Sequence, residues 1–221
     1  MFFLTNQITP AHGKVEELRK AAARATEVAR AHGENLIAGF QITMGGDVGS
    51  LVYISSFEDG DAYTAAMKAV QESGDGEKVG KLMTSSVSAV LHQLPDSELR
   101  QDLPEPLSAL YIGILITPVP GMTDALVATS STARQIAEAN GARPVGAFQV
   151  TLGPNQGSLI YIVGYEDDQA YLNTMKALAD SGYTREVEPL IASSSSSVLQ
   201  MLPEAALQAS EQEVRVAEPA E

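Results

Sequence analysis

Sliding the chain on itself by 108 residues aligns 2–95 with 110–203 without a gap. Over 40–95 against 148–203, 27 of 56 positions are identical, and a further 9 of the 38 pairs before them. The clearest case is QITMGGDVGSLVYISSFEDGDAY, Gln41 to Tyr63, which returns as QVTLGPNQGSLIYIVGYEDDQAY, Gln149 to Tyr171. A period this long is not a solenoid repeat; it is a whole small domain written twice. The expected division is a first unit at 1–95, an acidic linker at 96–109 around Leu103-Pro104-Glu105-Pro106, a second unit at 110–203 and an acidic tail at 204–221.

Each unit reads in the same order. An extended run, Phe2 to Ile8 or Leu110 to Ile116, ends in both copies at Thr-Pro. A helix follows over about 14–32 and 122–140, with Val15, Leu18, Ala22, Ala25 and Val28 at helical spacing and Gly33 or Gly141 where a C-terminal cap belongs. Two strands then flank GGDVG or GPNQG, a hairpin by its turn residues. Asp59 or Asp61 can cap a second helix, on which Tyr63, Met67 and Val70 form the apolar stripe. A short helical piece near 77–84 or 185–192 precedes the last strand, SSVSAVLHQLP or SSSSSVLQMLP. This β-α-β-β-α-β order makes the chain α+β, two tandem ferredoxin-like units. One such sheet has helices on one face only, so the second copy most simply covers the open face of the first. The mixture of Gln41, Thr43 and Tyr53 with apolar neighbours predicts a partly polar interior between the two antiparallel sheets.

The tandem resembles the dimeric α/β-barrel superfamily, which includes NIPSNAP-type domains, antibiotic-biosynthesis-type monooxygenases and chlorite dismutase-like haem proteins. The nearest pattern is NIPSNAP-like: Gly39-Phe40-Gln41-x-x-x-Gly45, then Leu51-Val52-Tyr53-Ile54-x-x-Phe57-Glu58 and a helix. In the second copy it reads Ala147-Phe148-Gln149-x-x-x-Gly153, then Leu159-Ile160-Tyr161-Ile162-x-x-Tyr165-Glu166. The resemblance implies an intramolecular barrel. It does not choose an activity, because the matching positions are structural and the superfamily spans cofactor-free oxygenases, haem enzymes and proteins of no known activity.

Composition narrows the chemistry. With no Cys there is no thiolate nucleophile and no Cys-based metal site, and a reducing, cytoplasmic setting fits. Phe2-Phe3-Leu4 is too short an apolar run for a signal peptide. No stretch approaches the ~20 apolar residues of a membrane span. The net charge of −14 repels phosphate backbones and anionic lipid, so no nucleic-acid or membrane partner is expected. Half of that charge lies in the linker and tail, with four acids and one Arg in the first and five acids and one Arg in the second. MGGDVGS runs into a strand rather than a helix, and Pro154 replaces Gly46 in the second copy, so it is a turn and not a phosphate loop. His12, His32 and His92 all lie in the first copy, with no ligand set on one element, so neither haem nor a metal is expected.

The candidate catalytic groups are Tyr53 and His92, with a Tyr53 phenol expected to face the barrel. Asn6, Gln41, Thr43, Tyr53, Gln149, Thr151 and Tyr161 are the candidate ligand contacts. Asn6 and His92 correspond to Ile114 and Gln200, which places a site in the first copy around Asn6, Gln41, Tyr53 and His92. Glu58-Asp59, Glu166-Asp167, Lys68 and Lys176 read as helix-end and solvated charges, and Ser193 to Ser197 as a strand start. Two functions compete. One is binding of a small apolar, carbonyl-bearing compound, extending to cofactor-free oxygenase or isomerase chemistry. The other is a non-catalytic assembly module that self-associates.

Overall fold

The computed structural model describes residues 1–95, 97 and 108–202. Most of the linker at 96–109 and the whole tail at 204–221 lie outside the described residues. The first unit comprises β1 (Phe2–Pro10), α1 (Val15–Arg30), β2 (Asn35–Met44), β3 (Leu51–Phe57), α2 (Gly60–Glu72), α3 (Asp75–Leu82) and β4 (Met83–Gln93). The second repeats it with β5 (Leu110–Pro118), α4 (Thr123–Ala139), β6 (Ala142–Leu152), β7 (Leu159–Tyr165), α5 (Asp168–Asp180), α6 (Tyr183–Val187), a 3-10 turn (Glu188–Leu190) and β8 (Ile191–Met201). Asp59 and Asp167 cap α2 and α5, each accepting from the backbone N–H three residues on, at 2.9 and 2.8 Å. Gly33 and Gly141 hold the left-handed φ values, +102° and +88°, that turn the chain from α1 and α4 into the next strand.

The eight strands close into one antiparallel barrel in the order β1-β3-β2-β8-β5-β7-β6-β4. Closure removes both sheet edges from each unit. Two seams join the units. At one, β2 pairs with β8, with Gln41 opposite Gln200; at the other, β6 pairs with β4, with Gln149 opposite His92. The same threonine serves each seam: Thr43 Oγ1 donates to the Val198 carbonyl at 3.2 Å, and Thr151 Oγ1 to the Val90 carbonyl at 3.1 Å.

The second copy therefore does cover the open face of the first, but the interior this makes is apolar. Phe3, Phe40, Ile42, Ile54 and Leu91 pack there against Tyr111, Phe148, Val150, Ile162 and Leu199. Two aromatic pairs related by the repeat cross it, Phe3 with Phe148 at 5.7 Å and Phe40 with Tyr111 at 5.3 Å between ring centres. The only polar group among these buried side chains is the Tyr111 hydroxyl, which accepts from the Ser108 N–H and lies 3.9 Å from Met201 Sδ. The expected partly polar interior is thus corrected. The strand residues facing inward are those one position away from Gln41 and Tyr53, because successive side chains alternate between faces. The outer faces are covered by helices: Leu18 and Ala22 lie over Ile8, Leu36, Leu51 and Tyr53, and Leu126 lies in the cluster of Leu94, Leu159 and Val187. Among the described residues no helix is long and apolar enough to cross a membrane.

Candidate functional site

At the β4–β6 seam the barrel wall carries a groove of about 570 Å³. Its floor is Val90 to Pro95, and Met1, Phe2, Phe3 and Thr151 complete the lining. The local sequence explains the shape. The β4–β6 register shifts between Val90 and Leu91, an irregularity at the seam. After β4, the Leu94-Pro95 step leaves the sheet into a turn fixed by Ser97, whose N–H donates to the Leu94 carbonyl at 3.2 Å and whose hydroxyl accepts from the Ala147 N–H at 2.9 Å. Gln93 donates its side-chain amide to the Ser97 carbonyl. His92 stands exposed in this groove opposite Gln149. The volume lies in the ordinary range for small-molecule sites.

The candidate residues divide into separate places. His92, Gln149 and Thr151 come together at the β4–β6 seam, joining a residue of the first unit to two of the second. Gln41 and Thr43 are their counterparts at the β2–β8 seam. Asn6 and Tyr53 face one another across β1 and β3 on the helix-covered side, where Asn6 Oδ1 accepts from Ser86 Oγ at 2.8 Å and Ser88 Oγ at 3.3 Å. Tyr53 does not face the barrel interior: it packs with Leu51 beneath α1, while Ile54 takes the inner face. Tyr161 likewise lies beneath α4, its hydroxyl 2.7 Å from Ser130 Oγ. Of the grouping of Asn6, Gln41, Tyr53 and His92, the inward-facing Tyr53 phenol is what the structure corrects. The inner face of β3 belongs to Ile54, and the strand pairing sends His92 to the other unit.

Two polar groupings escaped the sequence reading. Glu34, after α1, accepts from Ser55 Oγ at 2.5 Å, while its Oε2 is buried without a partner. Burial raises the Glu34 carboxyl above its ordinary range, outweighing the Ser55 hydrogen bond and the Arg30 charge. In the second unit, Thr129 lies 3.3 Å from the Tyr183 hydroxyl beside the Tyr161–Ser130 pair. Burial pushes both phenols up. The signal available for each was the broken repeat: Ala142 and Val163 stand where the first unit has Glu34 and Ser55, and Ala21, Ala22 and Asp75 stand where the second has Thr129, Ser130 and Tyr183.

Among the described residues no group of three His, Cys, Asp or Glu is placed to hold a metal ion. All three imidazoles are exposed, and His32 Nδ1 is engaged 2.8 Å from the Val28 carbonyl at the end of α1.

No protein-family model matches the chain, and no curated protein does. Solved structures do match. A proposed monooxygenase from Lactobacillus acidophilus NCFM superposes with a TM-score of 0.65 at 16% identity, covering 90% of this chain and 93% of that one. An anthrone oxidase-like protein gives 0.58 at 14% over 91% of each, and a variant of chlorite dismutase from Candidatus Nitrospira defluvii gives 0.61 at 13% over 95% and 94%. The likeness covers 90% or more of this chain, and so extends over both units. This chain has the dimeric α/β-barrel fold. At these identities what the dimeric α/β barrel shares with its neighbours is the fold.

Proposed function

We propose that this dimeric α/β barrel binds a small apolar, carbonyl-bearing compound in the β4–β6 seam groove, with His92 as the group that works on it. The observation that carries this reading is an exposed imidazole in a groove lined by Val90, Leu91, Leu94, Pro95, Phe2 and Phe3, with Gln93 and Thr151 as the other polar side chains. Such a wall holds a ring system by contact area, and the imidazole supplies one directed polar contact. A neutral imidazole also accepts a proton from carbon next to a carbonyl, the first step shared by an isomerase and a cofactor-free oxygenase. That the structural neighbours include proteins described as monooxygenases and as anthrone oxidase-like supports this direction. Asn6 and Tyr53 remain a separate candidate pair on the helix-covered face.

The test is native mass spectrometry of the chain as purified, beside His92→Ala. A bound mass on wild type that is weakened or missing in the variant supports the reading. A bare wild-type chain that also takes up none of a panel of aromatic ketones and phenols would sink it.

The assembly reading has its own support. Met44 and Leu152 at the ends of β2 and β6 and Val48 in the β2–β3 turn are each about two-thirds exposed, and Val87, midway along β4, is nearly half exposed. A discrete oligomer in the same spectrum, dissolved by Met44→Lys or Leu152→Lys, is the outcome that favours it.

A further inference from the structure

The two seams close only part of β4 and β8, and they leave strand edges open at one end of the barrel. Around the antiparallel ring, β4 and β8 run in the same direction and stand four places apart among eight strands. Their first residues therefore lie at one end, on opposite sides, together with the last residues of β2 and β6. The seam pairs begin at Val90 on β4 and at Val198 on β8. Ahead of them, residues 85–87 pair with β1 alone and residues 193–195 with β5 alone, and both segments are exposed. Among the described residues no strand lies along their other side, so each presents a row of unpaired backbone N–H and C=O groups. An open edge is ordinarily guarded by a lysine or a proline, and neither segment carries one. The exposed Met44, Val48, Val87 and Leu152 all stand at this same end. The two hairpin turns, 45–50 and 153–158, and the two open segments hold a single charged residue, Asp47, in a chain with a net charge of −14.

We propose that two copies of this chain dock through this end of their barrels, the open edges of β4 and β8 each lying beside the equivalent edge of the other copy. A two-fold axis crossing the barrel end through both edges sets each pair antiparallel and gathers Met44, Val48, Val87 and Leu152 into one apolar layer. This rests on the self-association reading above and adds the surface that would carry it. Two features favour a second copy over a different protein. Met44 and Leu152 hold matching places in the two units, as do residues 85–87 and 193–195, so a two-fold axis makes every backbone contact twice. A lone extended peptide could use one edge only. Two bodies that each carry −14 also meet with least repulsion where the surface is uncharged. The His92 groove starts at Val90 and lies toward the other end, so docking leaves it open. With edges this short the contact is modest, and pairing is expected between about 10 and 100 μM, with single chains at about 1 μM.

Sedimentation velocity of the full chain from about 1 to about 200 μM is expected to pass from one chain to two and stop there. Ser85→Glu with Ser193→Glu sets like charges across the edges at exposed positions and is expected to weaken the pair about ten-fold or more. Leu172→Glu with Met175→Glu adds the same charge to the exposed face of α5 and is expected to change it about two-fold or less. Amide hydrogen exchange on wild type depends on no variant: residues 85–87 and 193–195 are expected to exchange about three-fold or more slowly at the highest concentration than at the lowest. A chain that stays single throughout overturns self-association itself and leaves this end to a different partner. A pair that resists the edge variant, or that the α5 variant dissolves as readily, overturns this surface while self-association stands. Unchanged exchange at both edges in the pair overturns the strand pairing. A mass that climbs past two chains overturns the two-fold arrangement.

Discussion

Glu34 is the most exacting single residue in the molecule. It is half-buried as a whole, yet Oε1 depends on one Ser55 hydroxyl and Oε2 is sealed with no partner at all. Desolvation is the largest influence on it and favours the protonated acid, so the folded state binds its proton more tightly than the unfolded chain does. The sign follows from linkage. Below the ordinary value of 4.5 both states are protonated and there is no penalty. As the pH rises from there through the raised folded value, the unfolded chain loses its proton first and folding weakens; above that window the penalty is constant. Replacing Glu34 by Gln removes the titration. Urea unfolding at a series of pH values should show Glu34→Gln gaining on wild type across that window, by on the order of 1 kcal/mol at its upper end. Parallel pH curves would contradict it. None of this was legible in Gly33-Glu34-Asn35, which reads as a solvated turn after a helix. Burial at position 34 is set by α1, β2 and β3 converging, and only the Ala at position 142 marked it as unlike its copy.

At the scale of elements, the strands and helices were legible and their faces were not. Hairpin residues and the 3.6-residue spacing mark where β2, β3 and α1 begin, but LVYI is apolar on both sides. Alternation therefore could not say that Tyr53 goes under α1 and Ile54 into the barrel. Closure depends on two glycines that the sequence identifies only as turn residues. A Cβ at Gly45, where φ is +73°, would lie 2.5 Å from the Ser196 carbonyl oxygen; at Gly153, where φ is +115°, it would lie 2.8 Å from that of Ser88. At each of these glycines the hairpin thus closely approaches the backbone of the last strand of the other unit. Gly153→Ala is expected to cost roughly 3 kcal/mol, combining left-handed strain with overlap against a main chain that is already paired. Gly121→Ala, with φ of +83° and open space around it, isolates the strain alone at about 1 kcal/mol. Similar losses in chemical denaturation for the two variants would contradict the close approach. The caps offer a second contrast. Asp59→Ala removes the acceptor for the Ala62 N–H and should cost about 1 kcal/mol, whereas Asp61→Ala, inside the first turn, should cost less.

For the whole molecule, the duplication predicts more than a pair of similar halves, because the halves are complementary at the seams. Phe3 of the first unit meets Phe148 of the second, and Phe40 meets Tyr111; by the repeat, Phe148 occupies the place of Phe40 and Tyr111 that of Phe3. Gln149 and Thr151, which face β4, are identical in kind and place to Gln41 and Thr43. A first unit alone, residues 1–95, would expose Phe3, Phe40, Ile42, Ile54 and Leu91, a face it cannot leave in water. A second copy of itself carries every group needed to cover that face. Phe3 of one copy would pack on Phe40 of the other, and each β2 would pair with the other copy's β4. The isolated unit should therefore behave as a two-fold dimer in size-exclusion chromatography with light scattering, and carry two His92 grooves in place of one. Phe40→Asp should break it into unfolded monomers, because burying that carboxylate at the centre of the barrel costs several kcal/mol at each of two equivalent places. A stable, folded monomer of residues 1–95 would show that the seams hold together two self-sufficient domains and that the shared core is not what the fold depends on.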